Sequence, residues 1–326
     1  MSERGEDDSD DNNNNNNVIS LLSQENNTIL FCLKILINSL VIFPVNKHIF
    51  LSIFTLTNLP LSFLLFSFSL SAQPIKARVY SLEALARLAP TRFEARHLWK
   101  ESRADALSLL HLRLCYFLPC YLLSLVAAVS AIHSAHSAVH GKRFSLLIAG
   151  SHIRLTWKRP LVTSICIYAV FALYSQVIFY LTVIMGTTPR SVFLIWVFGS
   201  VFELYLMAIS GVGLVASVLE DRIGFDAIRF GSDLIEGRRA CGWLLSGWFI
   251  FISGWIGRGW HKLIMDGHDL RNMNWTVMMT SWEKMGLICL YGIEMLWSFT
   301  VTTIFYCECR KRHSIRTEND IEEVTA

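Results

Sequence analysis

Glu203 and Glu294 are the side chains with the strongest claim to chemistry, because each carboxylate interrupts a long apolar run. Glu203 follows Ile195–Phe202, and Glu294 follows Cys289–Ile293. Each lies about 9–12 residues from one end of its run, roughly 14–18 Å deep at about 1.5 Å per residue. A charge that far into hydrocarbon is costly unless it is paired, protonated or wetted. Arg113 and Arg258 are the available countercharges. Two readings stay open: a polar pocket that couples protons or binds a substrate, or a structural ion pair or protonated carboxyl that fixes helix packing.

Other reactive residue types are less specific. His133, His136 and His140, with His152 beyond, share a helical face, but no carboxylate or cysteine stands beside them and Ser134 and Ser137 make the segment simply polar. Cys307 and Cys309, next to Arg310-Lys311-Arg312, fit a juxtamembrane palmitoylation site. Asn274-Trp275-Thr276 is a glycosylation acceptor pattern. The eight cysteines form no paired CxxC knuckles, so neither zinc nor a disulfide framework is expected. No G-x-S-x-G elbow, H-E-x-x-H or Walker loop occurs. No enzyme, metal or cofactor is implied.

The elements that must hold these residues follow from composition. The chain is 53% hydrophobic and 17% charged, against about 45–50% and about 25% for a soluble domain. Its mean hydropathy is +0.42. That surplus needs lipid to cover it. A net charge of +3 argues against a nucleic-acid partner. Between Ala106 and Phe202 there is no Asp or Glu but seven Lys or Arg, as in membrane spans with cytosolic flanks. The expected fold is all-α, an integral membrane helical bundle. Six windows are long enough to span: His48–Ser71, Leu107–Ala131, Pro160–Gly186, Ser191–Leu219, Ala240–Gly257 and Met285–Tyr306. The fifth ends in Gly257-Arg258-Gly259, read as a short turn, and Ala72–Ala106 is read as a long loop. Gly199, Ser210, Gly213, Ser217, Gly247 and Gly254 suit close helix packing.

Each odd span is preceded by a shorter amphipathic stretch: Ile29–Asn46, Phe144–Arg159 and Gly224–Arg239. They read as interfacial helices lying in the headgroup plane. Interfacial helix followed by hairpin occurs three times, which suggests a three-fold repeat. Sixteen Lys and Arg fall on the side carrying the termini, twelve on the other, and Arg113 lies within a span. This bias favours cytosolic termini. Residues 1–27, acidic and then Asn-rich, read as a disordered tail without a cleavable signal, residues 28–311 as the membrane domain, and residues 312–326 as a second tail.

The most characteristic stretch is Ser217–Gly237, with the skeleton Glu220-x-x-x-Gly224-x-x-Ala227-x-x-x-x-Ser232-x-Leu234-x-x-Gly237. It resembles the interfacial element of the membrane domain attached to some glycerophosphodiester phosphodiesterases. From about Thr28 to Lys311 the chain looks more closely like a family of uncharacterised plant multi-pass membrane proteins. Leu155–Thr163 and Leu33–Pro44 fit the same family. The resemblance implies spans fed by interfacial helices and supplies no active site, because the phosphodiesterase chemistry belongs to a separate soluble domain.

The expected function is a membrane scaffold organising lipids or protein partners through the basic residues Lys158, Arg159, Arg238 and Arg239, in an endomembrane or the plasma membrane. The competing expectation is a secondary transporter using Glu203 and Glu294.

Overall fold

The computed structural model describes residues 28–89, 91–141, 157–185, 188–266 and 282–325. Among these there are helices and no strands. In chain order they are α1 (Thr28–Val45), α2 (Lys47–Ile53), α3 (Leu59–Leu88), α4 (Arg92–Val139), α5 (Lys158–Met185), α6 (Pro189–Leu219), α7 (Phe225–Leu234), α8 (Arg239–Asp266) and α9 (Trp282–Thr325). A π-helical turn, Phe54–Asn58, joins α2 to α3. Seven stretches are long and apolar enough to cross a bilayer: α1, the continuous run Lys47–Leu88, α4, α5, α6, α8 and α9. The protein is a multi-pass membrane protein.

A seventh candidate joins the six windows: α1 qualifies by length and composition, where the sequence reading treats Ile29–Asn46 as too short or too polar to span. α1 has 18 residues, about 27 Å at 1.5 Å per residue, close to the thickness of the hydrocarbon core. Lys34 and Asn38 are exposed, while Cys32, Ile35 and Ser39 are buried against the bundle. The second amphipathic stretch, Phe144–Arg159, lies largely outside the described residues. The third contains α7, ten residues with Ala227, Gly231 and Leu234 buried on one stripe. An 18-residue apolar α1 and a ten-residue amphipathic α7 are unlike elements, and no repeat is visible in them.

Three further corrections concern continuity. The Ala72–Ala106 stretch is the tip of a helical hairpin, not a loop. α3 and α4 run on past the apolar layer, joined across by Arg78 with Asp105 at 3.3 Å and with Glu101 at 3.8 Å. Thr91 caps α4 by accepting from the Glu94 backbone N–H at 3.3 Å, so the helix restarts at once after the turn. Gly257-Arg258-Gly259 stays helical within α8, because neighbouring helices and lipid outweigh the weak propensity of two glycines. α9 passes Lys311 without a break and reaches Thr325.

Cys32 of α1 and Cys241 of α8 meet sulfur to sulfur, with Cα atoms 5.9 Å apart across 209 residues of sequence. Each cysteine sits on the buried stripe of its own helix, so packing brings them together without any spacing signal.

α9 holds the bundle together. Val301, Ile304, Phe305 and Tyr306 pack with Val212 and Val215 of α6 and with Ile35 and Ile132. Leu296 packs with Phe50, Ile53 and Ala131, and Ile288 with Phe66, Ile256 and Trp260. Outward of Leu173, the α5–α6 hairpin is largely exposed, including Val183, Ile184, Phe193 and Phe198. Apolar surface on that scale is lipid-facing.

Candidate functional sites at the basic end and in the bundle interior

The start of α5, the end of α6, all of α7, the start of α8 and the charged part of α9 meet at one end of the bundle. The Ser217–Gly237 motif builds this end, and each of its residues has a mechanical reason. Glu220 ends α6 in extended backbone. Its carboxylate accepts the Tyr306 hydroxyl and pairs with Arg310 at 3.1 Å and Arg222 at 3.5 Å. Gly224 has φ +63°, which favours glycine, and its N–H donates to Thr163 Oγ1 at 2.9 Å. Ala227 is fully buried against Gly213, where α7 and α6 touch by backbone. Ser232 is half-buried, Leu234 is buried in the core, and Gly237, at φ +84°, makes the turn into α8.

The basic residues here divide into two groups. Arg159 is taken up by Asp221, and Arg222 by Glu220 and Asp226 while lying 4.1 Å over the Phe230 ring. Lys158 and Arg239 are exposed, Arg239 with only Glu236 at 3.7 Å. Arg238 stacks 3.5 Å over the Phe31 ring of α1. Burial first, and then Arg312, hold its guanidinium below the usual arginine range.

The two intramembrane carboxylates are not brought together. Glu294 is buried between α9 and α8, where Ser253 Oγ donates to its Oε1 at 2.9 Å and its Oε2 has no partner among the described residues. Glu203 is exposed on α6. Neither Arg113, exposed on α4, nor Arg258, exposed on α8, forms an ion pair with a described carboxylate. Asn58 was missed by the sequence reading. Its amide is buried in the π-helical turn with neither polar atom partnered among the described residues, and a single Asn before Leu-Pro gives no signal of that.

Cys307 and Cys309 are buried in α9, facing the core. The His136 and His140 rings lie tilted to each other with centroids 4.3 Å apart, and no three or more metal-ligating side chains cluster among the described residues. Asn274 and His152 lie outside the described residues.

No curated protein and no solved structure matches the chain. One family model does, over residues 22–321, which takes in every described helix apart from the last residues of α9. The chain belongs to the family described as Domain of unknown function (DUF8558).

Proposed function

We propose that the protein is a non-enzymatic membrane scaffold that gathers anionic lipid, and protein partners held with it, at its basic end. One observation carries this reading: Arg238 and Arg312, from segments far apart in sequence, converge, and Glu308, the carboxylate nearby, is paired with Lys311 and not with either of them. Arg312 Nη1 comes within 3.9 Å of the position a Cβ on Gly237 would take. Two neighbouring guanidiniums repel each other, so an anionic headgroup between them is favoured, by about 1 kcal/mol per basic residue near the surface. The test is the Arg238→Glu, Arg239→Glu double variant. It should co-purify with markedly less anionic phospholipid, measured by mass spectrometry of the detergent extract. Unchanged lipid composition removes the reading.

The same end supports a cytosolic location for both termini, in an endomembrane or the plasma membrane. α1 begins at the basic end, since Phe31 meets Arg238 and Cys32 meets Cys241. α3 finishes at the opposite, hairpin end. Thr28–Leu88 therefore crosses an odd number of times, and of its two candidate spans only one can be a full crossing. Six crossings follow for the whole chain, with α1 as an apolar helix packed against the bundle near the basic end.

Transport is the second reading. It is favoured by Glu294, whose buried Oε2 is unpartnered among the described residues, and by Asn58, whose amide is unpartnered at both polar atoms, rather than by the exposed Glu203. Glu294→Gln should abolish proton-coupled uptake in reconstituted vesicles. Uptake that survives the substitution removes Glu294 from any such role.

A further inference from the structure

A cavity of about 360 Å³ lies toward the hairpin end, between α3, α4, α5 and α9. That is within the range of small-molecule sites, roughly 300–1,000 Å³. Its lining is mainly aromatic and apolar, with Arg113 at one end of the α4 wall and Ser124 at the other. Arg113 and Ser124, both lining residues, are eleven positions apart on α4, so the slot is about 16 Å long at 1.5 Å per residue.

Two of the four tyrosines along the slot have their hydroxyls taken up by serines. Tyr116 OH is bonded to Ser67 at 3.1 Å and Tyr121 OH to Ser164 at 2.7 Å. Phe117 stacks on Tyr121 with centroids 5.9 Å apart, and Tyr168 meets Tyr121 edge-on at 5.6 Å. α5 touches α4 at Tyr121 and Tyr168, and the α5 side chains beyond, such as Leu173 and Val177, are exposed. The slot thus opens sideways toward lipid.

Arg113 is the slot's one charged group. Helical side chains lean toward the N-terminus of their helix, which for α4 is the hairpin end, where the Arg78–Asp105 pair marks the start of the polar hairpin. Its guanidinium is thereby aimed at headgroup level, with its stem along apolar surface. A planar fork of that kind recognises phosphate oxygens bidentately.

We propose that this cavity binds an anionic phospholipid, with one acyl chain along the Phe117–Tyr121–Tyr168 wall and its phosphate on Arg113. The site uses none of the residues of the basic end, so it stands independently of the scaffold reading.

The full chain, purified in detergent, is photolabelled with phosphatidic acid carrying a diazirine in its acyl chain, and adducts are mapped by peptide mass spectrometry. Adducts should fall between Arg113 and Ser124 or at Tyr168. Unlabelled phosphatidic acid should displace the probe about tenfold better than phosphatidylcholine with the same chains, the weight of a hydrogen bond to a charged group. Arg113→Gln should erase that preference, Arg113→Lys should keep part of it, and Ser124→Phe should fill the slot and remove the adducts. Equal competition by both lipids on the unaltered protein, adducts elsewhere, or a preference indifferent to Arg113→Gln would overturn the proposal. Displacement by inorganic phosphate would reassign Arg113 to a soluble anion and overturn it as well.

Discussion

Replacing Gly231 by alanine tests the tightest glycine contact among the described residues. α7 rests on α6 through Gly213 and Gly231. A Cβ at position 231 would stand 2.8 Å from Gly213 N, 3.1 Å from Gly213 Cα and 3.2 Å from Ile209 O. All three are backbone atoms and cannot swing aside, so α7 must lift by roughly 0.6 Å to reach ordinary contact at about 3.4 Å. Overpacking of this kind costs about 1–3 kcal/mol. Alanine within a helix recovers up to about 1 kcal/mol of it. The net loss is therefore about 0–3 kcal/mol. Gly254→Ala is the matched control, because nothing lies within 4 Å of its would-be Cβ. It should be neutral or gain up to about 1 kcal/mol, leaving the two variants about 1–3 kcal/mol apart. Both should be unfolded by sodium dodecyl sulfate in mixed micelles and followed by tryptophan fluorescence. Equal midpoints for the two variants would refute the close α6–α7 packing.

Further outcomes follow from the same contacts. Glu220→Gln should destabilise by about 1–3 kcal/mol, and Tyr306→Phe should cost about 1 kcal/mol less in that background than alone; additive effects in the same unfolding assay would separate the two residues. Trp297→Phe removes the 2.8 Å donation from Nε1 to Ser39 Oγ and should cost about 1 kcal/mol, with faster hydrogen exchange in Thr28–Val45; exchange unchanged there would dismiss this tie between α1 and α9. Mild oxidation should join Cys32 to Cys241, read as a covalently linked peptide pair in a digest alkylated before reduction. Two separately alkylated thiols would contradict it.

The membrane character and the positions of all six windows among the candidate spans were legible in the sequence, because each depends on local composition. The hairpin beyond Ala72 was not. Its charges read as a loop, whereas Arg78 and Asp105 stabilise two helices standing clear of the apolar layer. Glu203 and Glu294 looked alike from their apolar surroundings, yet one faces outward on α6 and the other inward to Ser253. A helix buries one stripe, and in an all-round apolar span no periodicity says which stripe that is. The palmitoylation pattern at Cys307 and Cys309 has the same weakness, since both thiols face the core.

The sequence alone determined that this chain belongs in lipid, because backbone amides and a 53% hydrophobic composition must be accommodated whatever the packing. Only the tertiary structure decided which polar groups meet: Glu220 with Tyr306, Cys32 with Cys241, Arg238 beside Arg312, and Arg113 over an aromatic slot. Those pairings depend on helix rotation and depth, which are set by close contact between surfaces distant in sequence and leave no local trace.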